Sequence, residues 1–366
     1  MRVVQIIDSL ETGGAERMAV NYANALSNRI TFSGLIATRS EGMLLYNVHE
    51  KVSYQFLNKK KRIDIKAIFR LRRYLKENKI DFIHAHSSSF FISVLVKMTL
   101  PKIKIIWHDH YGISQDLTLR KDISLKLGSL FFNGIISVNT ALKKWAESYL
   151  FCPYVVYLPN FIDQSLNSNK KLSLFGSQGK RIVCVANLRP QKNHELLLRA
   201  AGLIKNKYPD WTFHLFGKDF NDSHSEKLKK ILETSKLQSN VFFYGAVNNV
   251  VSALEQSDIA VLTSLSEGLP LAVLEYGLQK LPVVATNVGD ISKVITNEKE
   301  GIIIEPNNIE ELVKSISGLI DNENRRKEMG EELYKAIMSN YGEEVIIREY
   351  ISQLKSLINF AALREI

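Results

Sequence analysis

Residues 263–275 read TSLSEGLPLAVLE. The apolar run IAVLTS (259–264) predicts a strand, a small turn follows, and a helix is expected to begin near Leu269. Glu267 falls in the turn and Glu275 about two turns into the helix. A helix start offers unbonded N–H groups and the positive end of a dipole, which suits a diphosphate. Carboxylates on either side suit sugar and ribose hydroxyls, and Gly268 lets a backbone come close. An ordinary capped helix with an acidic flank fits the same spacing.

Two His-x-His pairs form a second constellation. His84 and His86 end DFIHAH (81–86), and His108 and His110 end KIIWHDH (104–110). Strand alternation puts the members of each pair on one face. Imidazoles gathered this way bind zinc well, so a metal-dependent hydrolase is one reading. The alternation sends Asp109 the opposite way, and no carboxylate cluster supports the histidines. Simple hydrogen bonding at strand ends is the plainer reading. A histidine titrating near neutrality would assist a hydroxyl nucleophile. The acidic run DFND (219–222) reads as a solvated turn, not a metal site.

Charge gives a third signal. Residues 1–165 hold 23 Lys+Arg against 13 Asp+Glu, and the remainder 25 against 25. The whole excess therefore lies in the first half, which points to an anionic partner there. KKKR (Lys59, Lys60, Lys61, Arg62) leads into IDIKAIFRLRRYLK (63–76). On a helix, Ile65, Ile68, Leu71 and Leu75 are expected to pack inward. Lys66, Arg70 and Arg73 form a basic face with Phe69 between them, fit for anionic headgroups or simply solvated. No nucleic-acid module accompanies the charge, so no nucleic-acid partner is expected.

The elements that must hold these residues alternate strand and helix. In the first half, strands are expected at 3–8, 32–38, 81–86, 104–110 and 134–139, with helices at 14–27 and about 63–78. The Ser-, Asn- and Lys-rich stretch 163–180 reads as a linker. The pattern then restarts, with strands at 181–187, 212–217, 241–245, 259–264 and 282–286. Helices are expected at about 193–207, 224–236, 248–256 and 269–279, and a last one over about 343–362. Two doubly wound parallel-sheet α/β domains fit a chain of 366 residues, and their ligands lie beyond strand carboxyl ends. No signal segment or apolar run of bilayer length is visible, and FFISVLVKMTL (90–100) is short. Cys152 and Cys184 show no paired spacing, which fits a reducing cytoplasm.

EGLPLAVLE (267–275) resembles the E-x7-E motif of retaining GT-B glycosyltransferases, in particular glycosyltransferase family 4. VANLRPQKNHELLLRA (185–200) resembles the family's phosphate-binding strand–loop–helix. Residues 241–268 resemble its nucleotide-binding run, and TGGAER (12–17) its N-terminal glycine loop. The likeness covers almost the whole chain. It implies two Rossmann-like domains facing a cleft: 1–163 for the acceptor, with the helix at about 343–366 packing back on it, and 180–342 for the nucleotide sugar. It implies a hexosyltransferase-type enzyme that moves a sugar from a UDP- or GDP-sugar to a hydroxyl with retention and without a metal. The setting would be bacterial surface polysaccharide assembly on a lipid-linked or oligosaccharide acceptor. The place would be the cytoplasm, peripheral at the inner membrane face.

Carried to this chain, Glu275 would hold ribose and Glu267 the donor sugar. Gly268, Leu269 and Leu271 would offer backbone N–H groups. Lys192 and Arg189 would meet the diphosphate, and Gly13 and Gly14 would approach phosphate and acceptor. Gly245, Val247 and the turn to Asn248 would meet the base. His110 would face the reaction centre, with His108 as the alternative and His86 on the acceptor side. Asn187 stands where the family usually has arginine, Lys293 where glutamate is common and Pro270 where glycine is frequent. A non-catalytic sugar- or lipid-binding protein on the same fold is the second alternative.

Overall fold

The computed structural model describes every residue except 113–116, 118–119, 121, 163–171, 248–249 and 363–366, and the backbone alone over 359–362. The chain divides into two compact units, Met1–Asp163 with Glu343–Ile366, and Gln164–Gly342.

The first unit is built on β1 (Arg2–Ser9), β2 (Phe32–Ser40), β3 (Ser53–Phe56), β4 (Phe82–His86), β5 (Lys104–Asp109), β6 (Gly134–Ser137) and β7 (Val155–Tyr157). All pair in parallel, in the order β3-β2-β1-β4-β5-β6-β7. Helices α1 (Gly14–Ser27), α2 (Ile65–Glu77), α3 (Phe90–Lys97), α4 (Ile123–Gly128) and α5 (Thr140–Tyr149) make the crossovers. One sheet face packs Ile6, Ile83, Ile105 and Trp107 against Leu71, Ile92, Leu125 and Trp145 of α2 to α5. Part of the other face packs Ile7 and Leu35 against Ala19, Val20 and Ala23 of α1.

The second unit follows the same plan with β8 (Arg181–Val185), β9 (Thr212–Phe216), β10 (Val241–Gly245), β11 (Ile259–Leu262), β12 (Val283–Thr286) and β13 (Ile302–Ile304), ordered β10-β9-β8-β11-β12-β13. Its helices are α6 (His194–Lys207), α7 (Ser223–Thr234), α8 (Val251–Leu254), α9 (Leu271–Leu278), α10 (Ile291–Val294), α11 (Ile309–Ile320) and α12 (Glu323–Tyr341). The last helix, α13 (Glu343–Ala362), belongs to the first unit and contacts α1.

In both sheets the chain starts in the middle and reverses direction. The switch lies between β1 and β4 in one and between β8 and β11 in the other. A crevice opens at the carboxyl ends of such a strand pair, because the connections on its two sides leave in opposite directions. The Lys192 loop follows β8 and the Glu267 loop follows β11, so the sequence puts both at one switch point.

Three expectations need correction. Ile65 is 66% exposed; the buried stripe of α2 is Ala67, Leu71, Tyr74 and Leu75. Lys59 is buried among the basic residues that precede α2, and burial holds its ammonium below the usual lysine range. Residues 172–180 are not a loose linker. Arg181 bonds the carbonyls of Leu174, Phe175 and Gly176, and Phe175 stacks on Phe242 at 4.6 Å. The remainder of that stretch lies outside the described residues.

Candidate functional site

In the second unit, β8 runs into Ala186–Arg189, a 3₁₀ turn over Pro190–Lys192, and then α6. Asn193 takes a left-handed φ of 51° between them, a conformation Asn tolerates. The turn is stapled to the loop after β11. Leu265 N–H donates to Gln191 O at 2.7 Å, and Thr263 Oγ1 donates to Lys192 O and Asn193 O at 3.2 and 3.1 Å. Backbone registration of this kind brings Lys192 Nζ to 2.5 Å from Glu267 Oε1. Ser264 Oγ donates to the same oxygen at 2.6 Å, so two donors fix the carboxylate's rotation. Glu267 is buried, whereas Lys192 keeps part of its surface.

Helix α9 begins at Leu271, two residues later than expected, with Pro270 as its N-cap. Proline supplies no capping side chain; Val273 N–H turns back to Pro270 O at 3.2 Å, and the N–H groups of Leu271 and Ala272 have no intrahelical acceptor. Glu275 sits half-buried one turn further on. The hydroxyl of Tyr276, which is wholly buried, accepts Val185 N–H at 2.6 Å and so ties α9 to the end of β8. Burial pushes the Cys184 thiol up to about 12, so it is inert beneath this site.

A neighbouring turn closes the loop from behind. Gly289 has φ of 59°, and a Cβ there would stand 2.3 Å from Glu267 O and 2.4 Å from Gly268 O. Both obstacles are backbone, so they cannot swing aside. Asp290 N–H donates to Gly268 O at 2.9 Å, and Lys293 pairs with Asp290 at 2.9 Å. Gly289→Ala is therefore expected to destabilise the protein by about 1–3 kcal/mol and to weaken nucleotide binding. Gly202→Ala, inside α6 with nothing within 4 Å of its Cβ, should do neither. Melting temperature with and without nucleotide checks both.

The remaining predicted residues of this unit fall nearby in sequence but do different things. Asn187 Oδ1 accepts Lys218 N–H at 2.7 Å and so pins the β8 loop to the end of β9. Arg189 is exposed and lies over the Phe220 ring at 3.6 Å. Gly245 ends β10 with φ of 70°, and Val247 is half-buried; Asn248 lies outside the described residues. In DFND, Asp219 pairs with Lys229 at 2.7 Å and Asp222 caps α7, which fits the solvated turn.

In the first unit the loop after β1 caps α1 through Gly13, in extended backbone. A Cβ at Gly13 would reach 2.1 Å from Glu16 Oε2, whose carboxyl burial holds above its ordinary range. All four histidines converge on the α1 and α13 side of the sheet. His84 Nε2 lies 3.1 Å from His108 Nδ1, and His86 Nδ1 lies 2.9 Å from His110 Nε2. Gln5 Oε1 is 2.9 Å from His86 Nε2, and the Tyr350 hydroxyl is 3.0 Å from His84 Nδ1. Tyr22 of α1 packs edge-on against His84 and His108. With Gln5 so oriented, His86 Nε2 carries a proton, its Nδ1 accepts, and His110 Nε2–H is the donor.

His84, His86 and His108 have no exposed surface. This corrects the acceptor-side reading of His86 and the alternative reading of His108: neither reaches a substrate, and both support His110. The expectation of a near-neutral histidine is also overturned. Burial pushes His110 down to about 3 and the other three well below the usual range, so all four rings are neutral at ordinary pH. Asp109 faces the other way, as alternation requires, and is held by Arg120 at 2.6 and 2.9 Å. His84, His86 and His108 come close enough to hold a metal ion, but among the described residues no carboxylate joins them, and a hydrogen bond already engages at least one nitrogen of each ring. Sequence reading missed Tyr22, Tyr350 and Gln5. The apolar spacing of Ile346, Ile347, Leu354 and Leu357 marked the buried face that carries Tyr350.

Comparison with known proteins covers nearly the whole chain. Residues 12–166 match the family described as Glycosyltransferase Family 4, and residues 167–336 the family described as Glycosyl transferases group 1. The chain is similar to an uncharacterized glycosyltransferase of Haemophilus influenzae, 28% identical over 350 residues, 92% of this chain and 95% of that protein. It is 28% identical over 278 residues to the UDP-Gal:alpha-D-GlcNAc-diphosphoundecaprenol alpha-1,3-galactosyltransferase of Escherichia coli, 71% of each. Among solved structures it resembles Anabaena HepE in complex with UDP and glucose, with a TM-score of 0.80 at 17% identity, over 97% of this chain and 100% of that one. That likeness shows the fold, a GT-B type with two Rossmann-like domains. With its two halves matched in tandem, the chain belongs to the group 1, family 4-like glycosyltransferases and is a sugar-transferring enzyme.

Proposed function

We propose that the enzyme transfers a sugar from a UDP-sugar to a hydroxyl of a lipid-linked acceptor, with retention, during assembly of a bacterial surface polysaccharide. The observation that carries the reading is the Lys192–Glu267 pair beside the uncapped start of α9. A cation and the first N–H groups of a helix suit the diphosphate, and the carboxylates of Glu267 and Glu275 suit sugar and ribose hydroxyls. The names of relatives support the finer terms. The Escherichia coli relative takes UDP-Gal and a diphosphoundecaprenol acceptor and makes an alpha linkage. UDP-galactose is itself alpha-linked, so that product retains configuration.

In the reaction, the bond from the anomeric carbon to the β-phosphate oxygen breaks. The acceptor oxygen bonds the same carbon on the same face, and its proton passes to the departing phosphate. No protein nucleophile is required. Lys192, with Arg189 as an additional cation, stabilises the charge growing on the diphosphate, so the proposed reaction needs no metal. Backbone N–H groups of Gly268, Leu269 and Leu271 serve the phosphates and sugar, and Gly245 and Val247 the base. The first unit supplies Gly13, Gly14 and a neutral His110 whose Nε2–H is already directed by His86. Cytoplasmic operation at an anionic membrane surface, met by the exposed basic residues on and before α2, completes the reading. Among the described residues no helix is long and apolar enough to cross a membrane.

UDP and UDP-sugars are expected to raise the melting temperature and GDP to leave it unchanged, with the shift lost in Glu275→Ala. Chelation with EDTA should leave turnover intact. A shift with GDP alone would move the donor to a GDP-sugar, and loss of turnover with EDTA would overturn the metal-free step.

A further inference from the structure

A cavity of about 580 Å³ lies at the carboxyl end of α2, against the turn that joins α3 to β5. Arg72, Lys76, Lys79, Lys102 and Lys104 line it, with Asp81 as the one carboxylate. Asp81 already accepts Arg2 N–H at 2.8 Å. Cations gathered around one cavity repel each other, and an anion seated among them removes that cost. Buried Leu75 and Ile103 form part of the wall, so the cavity is not purely polar.

Its surroundings name the kind of anion. Ile65, Phe69, Arg72 and Lys76 are spaced four, three and four residues apart, so they form one stripe along α2 that runs about 16 Å into the cavity. Ile65 and Phe69 are 66% and 64% exposed, and Met98, just past α3 beside the cavity's turn, is 64% exposed. A free phosphate or a nucleic acid has no use for large apolar side chains held in water. A bilayer surface uses both, burying the apolar groups between lipids and pairing the cations with phosphates.

We propose that this cavity seats the phosphate of an anionic phospholipid headgroup, with Ile65, Phe69 and Met98 entering the bilayer surface around it. The proposal rests on the membrane-surface reading above and changes its contact residues. The headgroup sits on Arg72, Lys76, Lys79, Lys102 and Lys104, not on the Lys66 and Arg73 side of the helix. Lys59 is buried and Arg70 is tied to Leu57 O, which removes two of the cations first assigned to the membrane.

The test is co-sedimentation of the full chain with vesicles of equimolar phosphatidylglycerol and phosphatidylcholine. Lys76→Glu with Lys102→Glu should lower vesicle partition by at least about tenfold. Lys66→Glu with Arg73→Glu should lower it far less, and Phe69→Ser should weaken binding even at low salt. The melting shift with UDP, measured on the same samples, reports folding and the donor site separately. Equal losses from the two charge-reversal pairs overturn the cavity, because any cation would then serve. Release from vesicles by millimolar inorganic phosphate overturns the lipid in favour of a free anion. No partition of the parent protein overturns the cavity and the membrane reading together, while an intact UDP shift leaves the donor site standing.

Discussion

Lys192→Ala is expected to lower kcat by about 10²–10³-fold, the usual consequence of removing one preplaced donor from a site of developing negative charge. The argument is local. Lys192 is the cation that the 3₁₀ turn delivers to 2.5 Å from Glu267, and that turn is locked by backbone bonds to the loop after β11. Because the turn and loop are already registered, the ammonium meets a diphosphate without reordering the chain. Its effect should therefore appear in kcat more than in KM. The substitution also leaves the buried Glu267 carboxylate with Ser264 as its remaining partner of the two donors on Oε1. Some loss of stability accompanies it, and Lys192→Arg controls for that by keeping the charge. The expected order of turnover is wild type, then Arg, then Ala. A non-catalytic binding protein would release no nucleotide in any of the three, and equal turnover in all three would remove Lys192 from the mechanism.

Acid should unfold the first unit steeply. The His84, His86 and His108 rings are wholly buried and held neutral, each well below the ordinary value of about 6.5. In the unfolded chain the same rings take up protons as pH falls through 6.5. The unfolded state then binds more protons than the folded one, so stability rises with pH in this window and is lost on acidification. The contribution of the neutral rings is fully present above about pH 6.5. Well below it, each ring costs about 1.4 kcal/mol per pH unit, and three cost about 4. Two units of acid should therefore remove about 8 kcal/mol, a large share of a total stability of about 5–15 kcal/mol. Denaturant melts from pH 7.5 down to pH 5 would show the slope. His108→Leu should remove about one proton from it. A flat profile would mean that the rings are charged or hydrated in the folded protein.

Much of this architecture is legible in the residues because burial on both faces leaves a plain signature. Every central strand that ends in a polar tip was readable as an apolar run, and α1 and α13 fell where their spacing put them. The edge strands β3, β7 and β13 are three or four residues long and mostly half-buried, so no apolar run announces them. The switch-point pairing of Lys192 with Glu267 followed from strand order, which sequence spacing suggests but does not impose. Helix α2 shows where pattern reading fails. Ile65 and Leu71 are equally apolar, yet they stand about 120° apart around the helix: Ile65 falls on the exposed stripe with Phe69, and Leu71 faces Ile92 and Val96 in the core. The histidine convergence was foreseeable from alternation. Its burial was not, because that depends on Tyr22 and Tyr350 arriving from segments far away in the chain.

Tyr350 rides on α13, which belongs to the first unit although the whole of the second unit separates them in sequence. The second unit is, in effect, an insertion into the first. During synthesis the ribosome makes the β1–β7 sheet first, then an entire further domain, and only afterwards the helix that carries Tyr350 over the histidines. The domain begun first is thus the one completed last, and a nascent chain released before residue 343 would hold a whole second domain beside a first one whose polar core lies open to water.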